Sequence, residues 1–263
     1  MVLRLILCCL LLASVRAAGA APCGELQVSF YEHGALHYRD AQGHWTGIDK
    51  DVVEELARRT GCRFLPHTES RVRIWTAMLN GTLDMTVSGI ATPEREQAAT
   101  FISYLSERNF VILQPEAAQR VNSLDSFLAT PDYKVAVIKS FKHGPTYDAW
   151  LDKLRAQGRV YETADYSSLL RLFKLRRVNA VLALGVSWAA VTRQGDMNDH
   201  YRLMDWAPRD RIIGGLVLSR QRVPEPVVAQ FRRAIQAMRE DGTLKAIFER
   251  HVGPELAAMM VNY

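Results

Sequence analysis

Short apolar runs alternate with amphipathic helical stretches along almost the whole chain. Residues 26–31 alternate apolar and polar positions as a strand does, and residues 49–60 carry apolar side chains at helical spacing. The same pattern predicts further strands at residues 63–65, 83–87, 110–113, 134–138, 178–184 and 212–218, and helices at residues 72–79, 147–157, 167–175 and 186–192. Long closing helices are predicted over residues 224–251, with a break near Asp241-Gly242. Alternating strands and helices predict an α/β fold with parallel or mixed sheets.

The order of these elements predicts two lobes joined by two crossovers. Because the strand at residues 212–218 returns to the first block, lobe 1 comprises residues 21–113 plus 214–263, and lobe 2 is the inserted segment 114–213. The candidate hinge segments are Leu113–Glu116 and Arg211–Gly215. We expect a ligand to bind in the cleft between the lobes, at the carboxyl ends of the strands.

The N-terminus has the layout of a secretory signal peptide. Arg4 precedes an apolar run at residues 5–15, and small residues follow at positions 17–21. We therefore predict a cleaved signal peptide at residues 1–20 and a soluble periplasmic protein, since the run is too short to span a bilayer.

Export changes the interpretation of the cysteines. Removal of the signal peptide leaves Cys23 and Cys62, and a pair in an oxidising compartment predicts one disulfide. Each cysteine precedes a predicted strand, and two adjacent parallel strands would bring these positions together. Two buried free thiols are the alternative.

Composition and charge are those of an ordinary globular protein, with 48% hydrophobic residues and a net charge of +5. Loss of Arg4 and Arg16 with the signal peptide lowers +5 by two, to +3. The positive charge is spread out, which argues against nucleic-acid binding and fits weak attraction to anions. Fingerprints of serine hydrolases, zinc proteases, P-loop enzymes and dinucleotide-binding enzymes are absent from the sequence, and it implies no cofactor and no metal.

The most informative stretch joins the strand at residues 83–87 to a helix. Ser88 and Gly89 form a turn of small residues, Thr92 is a good N-cap and Pro93 occupies the first helical position. A strand-to-helix junction of this kind directs free backbone N–H groups toward an anion. Arg95 adds a planar fork that can bind a carboxylate through two hydrogen bonds. An ordinary helix start with a surface arginine fits the same spacing.

Several motifs in order carry a resemblance to a known family. They are Gly47-Ile48-Asp49, Gly81-x-Leu83-Asp84, SGIATPER at residues 88–95 and MREDGTLKAIFER at residues 238–250. Over essentially its whole mature length the chain resembles the bacterial extracellular solute-binding proteins of family 3, the polar amino-acid type. The resemblance implies a monomeric two-lobed clamp that closes on an amino acid or related carboxylate and delivers it to an ABC importer.

The resemblance also implies ligand contacts in lobe 1. Arg95 matches the arginine that binds the ligand carboxylate, and Ser88, Gly89 and Ile90 match the neighbouring strand end and turn. His33 falls where the family places a ring over the ligand, with a solvent-exposed loop histidine as the alternative. Arg71 falls near a cleft-wall position, with a solvated arginine as the alternative.

Lobe 2 departs from the family pattern. Where members that bind free amino acids place an aspartate for the ligand ammonium, this chain has Leu184, which cannot offset the desolvation of an ammonium group. Either Glu32 or Asp165 binds the amine, or the ligand has none. Ser140 lies at a candidate anion-binding turn, and Phe141 is either a cleft wall or a core residue.

We therefore expect a carboxylate-binding protein rather than an enzyme. The alternatives are a dehydratase-like enzyme using the same cleft, and a soluble sensor that contacts a membrane receptor.

Overall fold

The computed structural model describes residues 23–188 and 201–262, and the predicted signal peptide lies outside them. The strands of the described chain are β1 (Glu25–Phe30), β2 (Tyr38–Arg39), β3 (Trp45–Thr46), β4 (Arg63–Thr68), β5 (Met85–Ile90), β6 (Ala99–Glu107), β7 (Asn109–Leu113), β8 (Val135–Ile138), β9 (Val160–Thr163), β10 (Ala180–Leu184), β11 (Arg202–Met204) and β12 (Ile212–Ser219). The helices are α1 (Ile48–Thr60), α2 (Arg71–Leu79), α3 (Pro93–Ala98), α4 (Pro115–Ala118), α5 (Leu124–Leu128), α6 (Pro145–Ala156), α7 (Tyr166–Lys174), α8 (residues 185–188), α9 (Glu225–Glu240), α10 (Thr243–Val252) and α11 (Pro254–Met260). The rest of the predicted helix at residues 186–192 lies outside the described residues.

Two five-stranded mixed sheets, one in each lobe, confirm the predicted two-lobed α/β fold. The sheet of lobe 1 has the order β4-β1-β5-β12-β6, and that of lobe 2 has the order β11-β7-β10-β8-β9. In lobe 1, β12 runs antiparallel to β5 and β6. In lobe 2, β7 runs antiparallel to β10 and β11, while β8 is parallel to its neighbours.

The crossovers between the sheets lie close to the predicted ones but not at them. We expected residues 110–113 to belong to lobe 1, whereas β7 pairs with β10 and β11 of lobe 2. Arg108 alone separates β6 from β7, so the chain passes from the sheet of lobe 1 to the sheet of lobe 2 at this residue. We propose that the lobes join at Arg108 and in the segment between β11 and β12.

An amphipathic helix and a disulfide fix the edge of lobe 1. Helix α1 buries Val52 and Leu56 completely, as its helical spacing predicted, and it also buries Ile48, one residue before the predicted start. Strands β1 and β4 are parallel neighbours, and the predicted bridge between Cys23 and Cys62 is present, with a Cα–Cα distance of 5.5 Å. The disulfide therefore ties the start of the edge strand β4 to the start of β1.

Strand β6 was not predicted from the sequence. It follows α3 directly, from Ala98 to Ala99, without the glycine or proline that usually signals a break between elements. Eight of its nine residues pair with β12, and a bulge leaves Tyr104 out of the register, so tertiary contacts define this strand. Across the part of the chain that the structure describes, we find no helix with both the length and the apolar character needed to cross a membrane.

Candidate functional site

Aromatic rings from the two lobes meet between the sheets. Tyr31 and His33 follow the carboxyl end of β1, Phe141 follows the end of β8, and Tyr166 begins α7. The His33 ring stacks on Phe141 with centroids 5.3 Å apart and lies 5.3 Å from Tyr166 in a tilted arrangement. We call these four residues together with Arg71 the interlobe cluster. The cluster therefore lies close to the carboxyl ends of β1 and β8, between the two sheets.

Arg71 is the charged centre of the interlobe cluster. It is the first residue of α2, and its side chain is 2% exposed. Its Cζ lies 4.4 Å from the ring centroid of Tyr31 and 4.8 Å from that of Phe141, so a ring from each lobe contacts the guanidinium. Its Nε and Nη2 atoms have no hydrogen-bond partner among the described residues. A buried cation with unused donors is costly unless an anion pairs with it.

Arg95 connects the two lobes directly. Its Nη1 donates to the Ile90 carbonyl in lobe 1 at 2.9 Å, and its Nη2 donates to the Ser140 carbonyl in lobe 2 at 2.8 Å. Its Cζ lies 3.7 Å above the Trp75 ring. The pKa of Arg95 is lowered to about 9, mainly by burial and secondly by the positive charge of Arg71. The guanidinium therefore stays protonated at neutral pH. Arg95, the predicted carboxylate anchor, therefore donates two hydrogen bonds to protein carbonyls, whereas two donors of Arg71 have no hydrogen-bond partner among the described residues.

The Ser88 hydroxyl points into lobe 1 and not toward the other lobe. Ser88 Oγ donates to Asp49 Oδ1 at 2.7 Å, and Tyr104 OH donates to the same oxygen at 2.6 Å. Tyr104 OH also accepts from Ser88 N–H at 2.9 Å, so this network holds Ser88 at its positive φ of 46°. Burial raises the Asp49 pKa to about 7 in spite of the two hydroxyl donors. Ser88 and Asp49 therefore shape the end of β5 without offering their side chains to the cleft.

The neighbouring positions serve the packing of β5. A Cβ at Gly89 would lie 2.0 Å from Val217 Cγ2, so glycine permits the close contact between β5 and β12. Ile90 contributes its backbone carbonyl to Arg95. In this turn, Gly89 therefore serves internal packing, and Ile90 accepts a hydrogen bond from the arginine that connects the lobes.

In lobe 2, the turn after β8 places its two predicted residues differently. Ser140 is exposed with φ 64° and supplies only its carbonyl, whereas Phe141 is buried in the interlobe cluster. His143, two residues on, is buried with Nδ1 3.1 Å from Asn109 Oδ1. Burial lowers the pKa of His143 to about 3, and burial with the nearby Arg71 charge lowers that of His33 to about 3. Both imidazoles are therefore neutral, and the cationic charge here comes from the arginines.

No described carboxylate forms an ion pair with Arg71, although the charge of Arg71 opposes the rise in the pKa of the buried Asp49. Leu184 is buried at the end of β10, Glu32 accepts a hydrogen bond from Ser167 Oγ at 2.7 Å, and Asp165 caps α7 through Ser168 N–H. Neither Arg71 nor Arg95 forms an ion pair with any described residue. The side chains present suit an anion better than a zwitterion.

The lobes also touch through their backbones. A Cβ at Gly34, in the loop after β1, would lie 2.3 Å from Ser187 Cα in α8, and the φ of Gly34 is 52°. Three buried polar atoms have no hydrogen-bond partner in the described chain: Ser187 Oγ, Trp188 Nε1 and Tyr166 OH. Only a residue without a side chain allows the loop to approach α8 this closely.

Two contributors were missed by the sequence analysis, Tyr31 and Trp75. Tyr31 directly follows a buried strand, and this position at a strand end is a signal that could have identified it. Trp75 lies one helical turn after Arg71, where spacing alone predicts a core residue.

A metal site finds no support in the described chain, where no three His, Cys, Asp or Glu side chains are grouped to bind an ion. His33 and His37 pair through their backbones, but the His37 ring stacks on Phe30 and Trp45 and not on the cluster.

Comparison with known proteins identifies the family and the fold. The model of the bacterial extracellular solute-binding proteins, family 3, matches residues 31–254. No curated protein sequence matches the chain. An ancestral arginine-binding protein bound to arginine superposes with a TM-score of 0.75 at 19% identity, over 88% of this chain and 99% of that one.

Two further structures share the fold. A substrate-binding protein of an ABC uptake transporter from Streptococcus pneumoniae, with bound histidine, has a TM-score of 0.73 at 13% identity, covering 87% of this chain and 92% of that one. The ancestral amino acid-binding protein AncCDT-1, described as a precursor of cyclohexadienyl dehydratase, has a TM-score of 0.71 at 17% identity, covering 87% and 96%. At these identities the structural likeness shows the fold alone.

Proposed function

We propose that this chain, which belongs to the bacterial extracellular solute-binding proteins of family 3, closes its lobes on a small carboxylate in the periplasm and delivers it to an ABC importer. The observation that carries the proposal is the buried guanidinium of Arg71, held between Tyr31 and Phe141 with two unused donors. A carboxylate is the simplest group that satisfies two guanidinium donors and cancels the charge.

The same site argues against an α-ammonium group on the solute. An ammonium needs a carboxylate or several acceptors, and the acidic side chains nearest in sequence, Glu32 and Asp165, already accept hydrogen bonds from lobe 2 hydroxyl or amide groups. Two arginines without an ion pair instead favour a ligand with net negative charge. We therefore propose an organic acid without an α-amine, with the flat rings of the cluster suited to a planar or apolar body.

Burial of Arg71 also explains how the ligand controls closure. When the lobes separate, Arg71 leaves its contact with Phe141 and water can reach its donors. Closing without an anion removes this solvation without replacement, and closing with an anion exchanges water for an ion pair in a dry site. The ligand therefore stabilises the closed arrangement by its difference in affinity for the two states.

A thermal-shift screen of the mature protein tests the proposal, because a ligand that binds only the folded state raises its apparent stability. Amino acids, aliphatic and aromatic acids, keto acids and dicarboxylates are compared at equal concentration and pH. We expect stabilisation by acids that lack the α-amine, and not by the matched amino acids. Stabilisation by the amino acids alone would refute the proposed ligand class.

Binding, and not catalysis, is our proposal for the cleft. Each stabilising acid is incubated with the protein, and its mass is followed over time. Unchanged ligand supports a binding protein, and conversion to a product of different mass would identify an enzyme on this fold. Copurification with permease and ATPase components distinguishes transport from sensing.

A further inference from the structure

A second pocket, with a volume of about 660 Å³, lies entirely within lobe 1. Helix α1, the edge strand β4 and the β2–β3 hairpin surround it. None of the residues of the interlobe cluster lines it. The pocket is therefore separate from the proposed ligand site, and its size is in the range that accommodates a small organic molecule.

One wall of the pocket is a column of stacked flat groups. The His37 ring lies 4.8 Å from Phe30 and 4.5 Å from Trp45, at interplanar angles of 19° and 12°. Arg39 Cζ lies 4.1 Å from the Trp45 ring centroid, and His37 Nε2 is 3.1 Å from Thr68 Oγ1. Stacking on both sides and this hydrogen bond fix the plane of the His37 ring, which is 2% exposed. The wall is therefore ordered before any molecule binds.

The opposite wall comes from α1 and carries both apolar and charged groups. Lys50, Val53, Glu54 and Ala57 line the pocket at the spacing of one helix face. Lys50 Nζ and Glu54 Oε1 are 2.5 Å apart, so these two charges cancel. Arg39 donates to the Gly43 carbonyl at 2.6 Å and forms no ion pair with a described residue. The permanent charges of the lining are therefore two cations and one acid, a net excess of one positive charge.

We propose that this pocket is a second binding site and takes an aromatic anion, a carboxylate or sulfonate carried on one or two rings. The aromatic wall and the apolar face of α1 would contact the rings, and Arg39 at the exposed end of the column would pair with the acid group. The inference does not depend on the proposed solute of the cleft, because the two sites share no residue.

Fluorescence and calorimetric titration with 8-anilinonaphthalene-1-sulfonate, a two-ring sulfonate, test this site directly. Ala57→Phe fills the pocket from α1, and Arg39→Gln removes the unpaired charge from an exposed position. The matched controls are Ala149→Phe on the exposed face of α6 and Arg177→Gln, an exposed arginine of lobe 2. Near-ultraviolet circular dichroism of each variant verifies that the fold is retained.

We expect saturable binding at one site in the wild-type protein and in both controls. Ala57→Phe should abolish it, and Arg39→Gln should weaken it by about fivefold, the effect of one exposed charge pair. The Arg71→Met variant, altered only in the cleft, should bind the probe as the wild type does.

Three results would overturn the proposal. They are the absence of saturable binding, undiminished binding by a folded Ala57→Phe protein, and loss of binding in Arg71→Met, which would assign the probe to the cleft. Failure of the cleft proposal alone would leave probe binding intact, so the two proposals can fail separately.

Discussion

Replacing Arg71 by methionine tests the central claim about the cleft. Methionine has a similar length, packs well between the rings of Tyr31 and Phe141, and carries no charge. A bound carboxylate would then be buried without its partner, which costs about 2–5 kcal/mol. Since about 1.4 kcal/mol corresponds to a factor of ten, we expect the Kd to rise by roughly 30-fold to several thousand-fold.

The ligand-free protein should respond in the opposite sense. Wild-type closure buries an unpaired guanidinium, whereas the methionine variant closes without that cost. We therefore expect ligand-free Arg71→Met to be at least as heat-stable as the wild type and more compact by small-angle scattering. Arg71→Lys, which keeps the charge but loses the planar fork, should bind with intermediate affinity.

Isothermal titration calorimetry with the strongest acid from the screen measures these affinities. Arg73→Met is the matched control, because Arg73 lies on the same helix but is exposed and pairs with Glu69. Its Kd should equal that of the wild type. The reasoning is refuted if folded Arg71→Met binds the acid as tightly as wild type, since the buried guanidinium would then not contact the ligand.

Four further outcomes follow from the structure. Gly34→Ala should lower ligand affinity by an order of magnitude or more, because its Cβ would meet the Ser187 backbone at 2.3 Å. The positive φ of 52° should also cost about 1–2 kcal/mol of stability in the open protein. Equal affinity in calorimetry would exclude this contact from closure. Arg95→Ala should weaken binding by roughly 1.5–3 kcal/mol, because it removes the hydrogen bond from Arg95 in lobe 1 to the Ser140 carbonyl in lobe 2; an unchanged Kd would remove Arg95 from the closed state. Burial, and after it the charge of Arg71, lowers the His33 pKa from 6.5 to about 3 in the described arrangement. We expect separation of the lobes to expose the ring and to return its pKa toward 6.5, so affinity should fall as pH drops from 7 to 5, by at most about tenfold per unit. His33→Gln should flatten this pH dependence, and a profile identical to wild type would contradict the assignment. Cys62→Ser removes the disulfide, which closes a loop of 39 residues, and should lower the free energy of unfolding measured in urea by about 4 kcal/mol. The comparison is wild-type protein in reductant. A loss below about 1 kcal/mol would contradict a stabilising role.

The fold was largely predictable from local sequence, because strand and helix periodicities encode burial directly. The disulfide between Cys23 and Cys62 was predicted from a single cysteine pair in an exported protein and from two parallel strands placed side by side. The structure confirms the bridge. Strand β6 was not predictable in the same way. No turn residue separates it from α3, and its partner β12 is more than a hundred residues away in the sequence.

The candidate site was less predictable, since it depends on how two lobes approach each other. Arg71 and Arg95 both lie near the start of a helix, and spacing cannot tell which guanidinium meets a carbonyl and which remains without a partner. That difference depends on the Ser140 carbonyl, which comes from the other lobe. Ser88 illustrates the same limit, because its hydroxyl is directed inward by Asp49, a residue 39 positions earlier in the chain.

The hydrogen bonds of Arg95 affect how well the closed shape of the protein indicates that a solute is bound. Both of its carbonyl partners belong to the protein, so this contribution to closure is the same for every solute and for none. Under the proposed function, an importer that recognises only the closed shape would treat an empty closed protein as a loaded one, and each such error would spend ATP without moving solute. The unpaired charge of Arg71 opposes closure without a solute. The balance between the two arginines thus sets how often the empty protein closes.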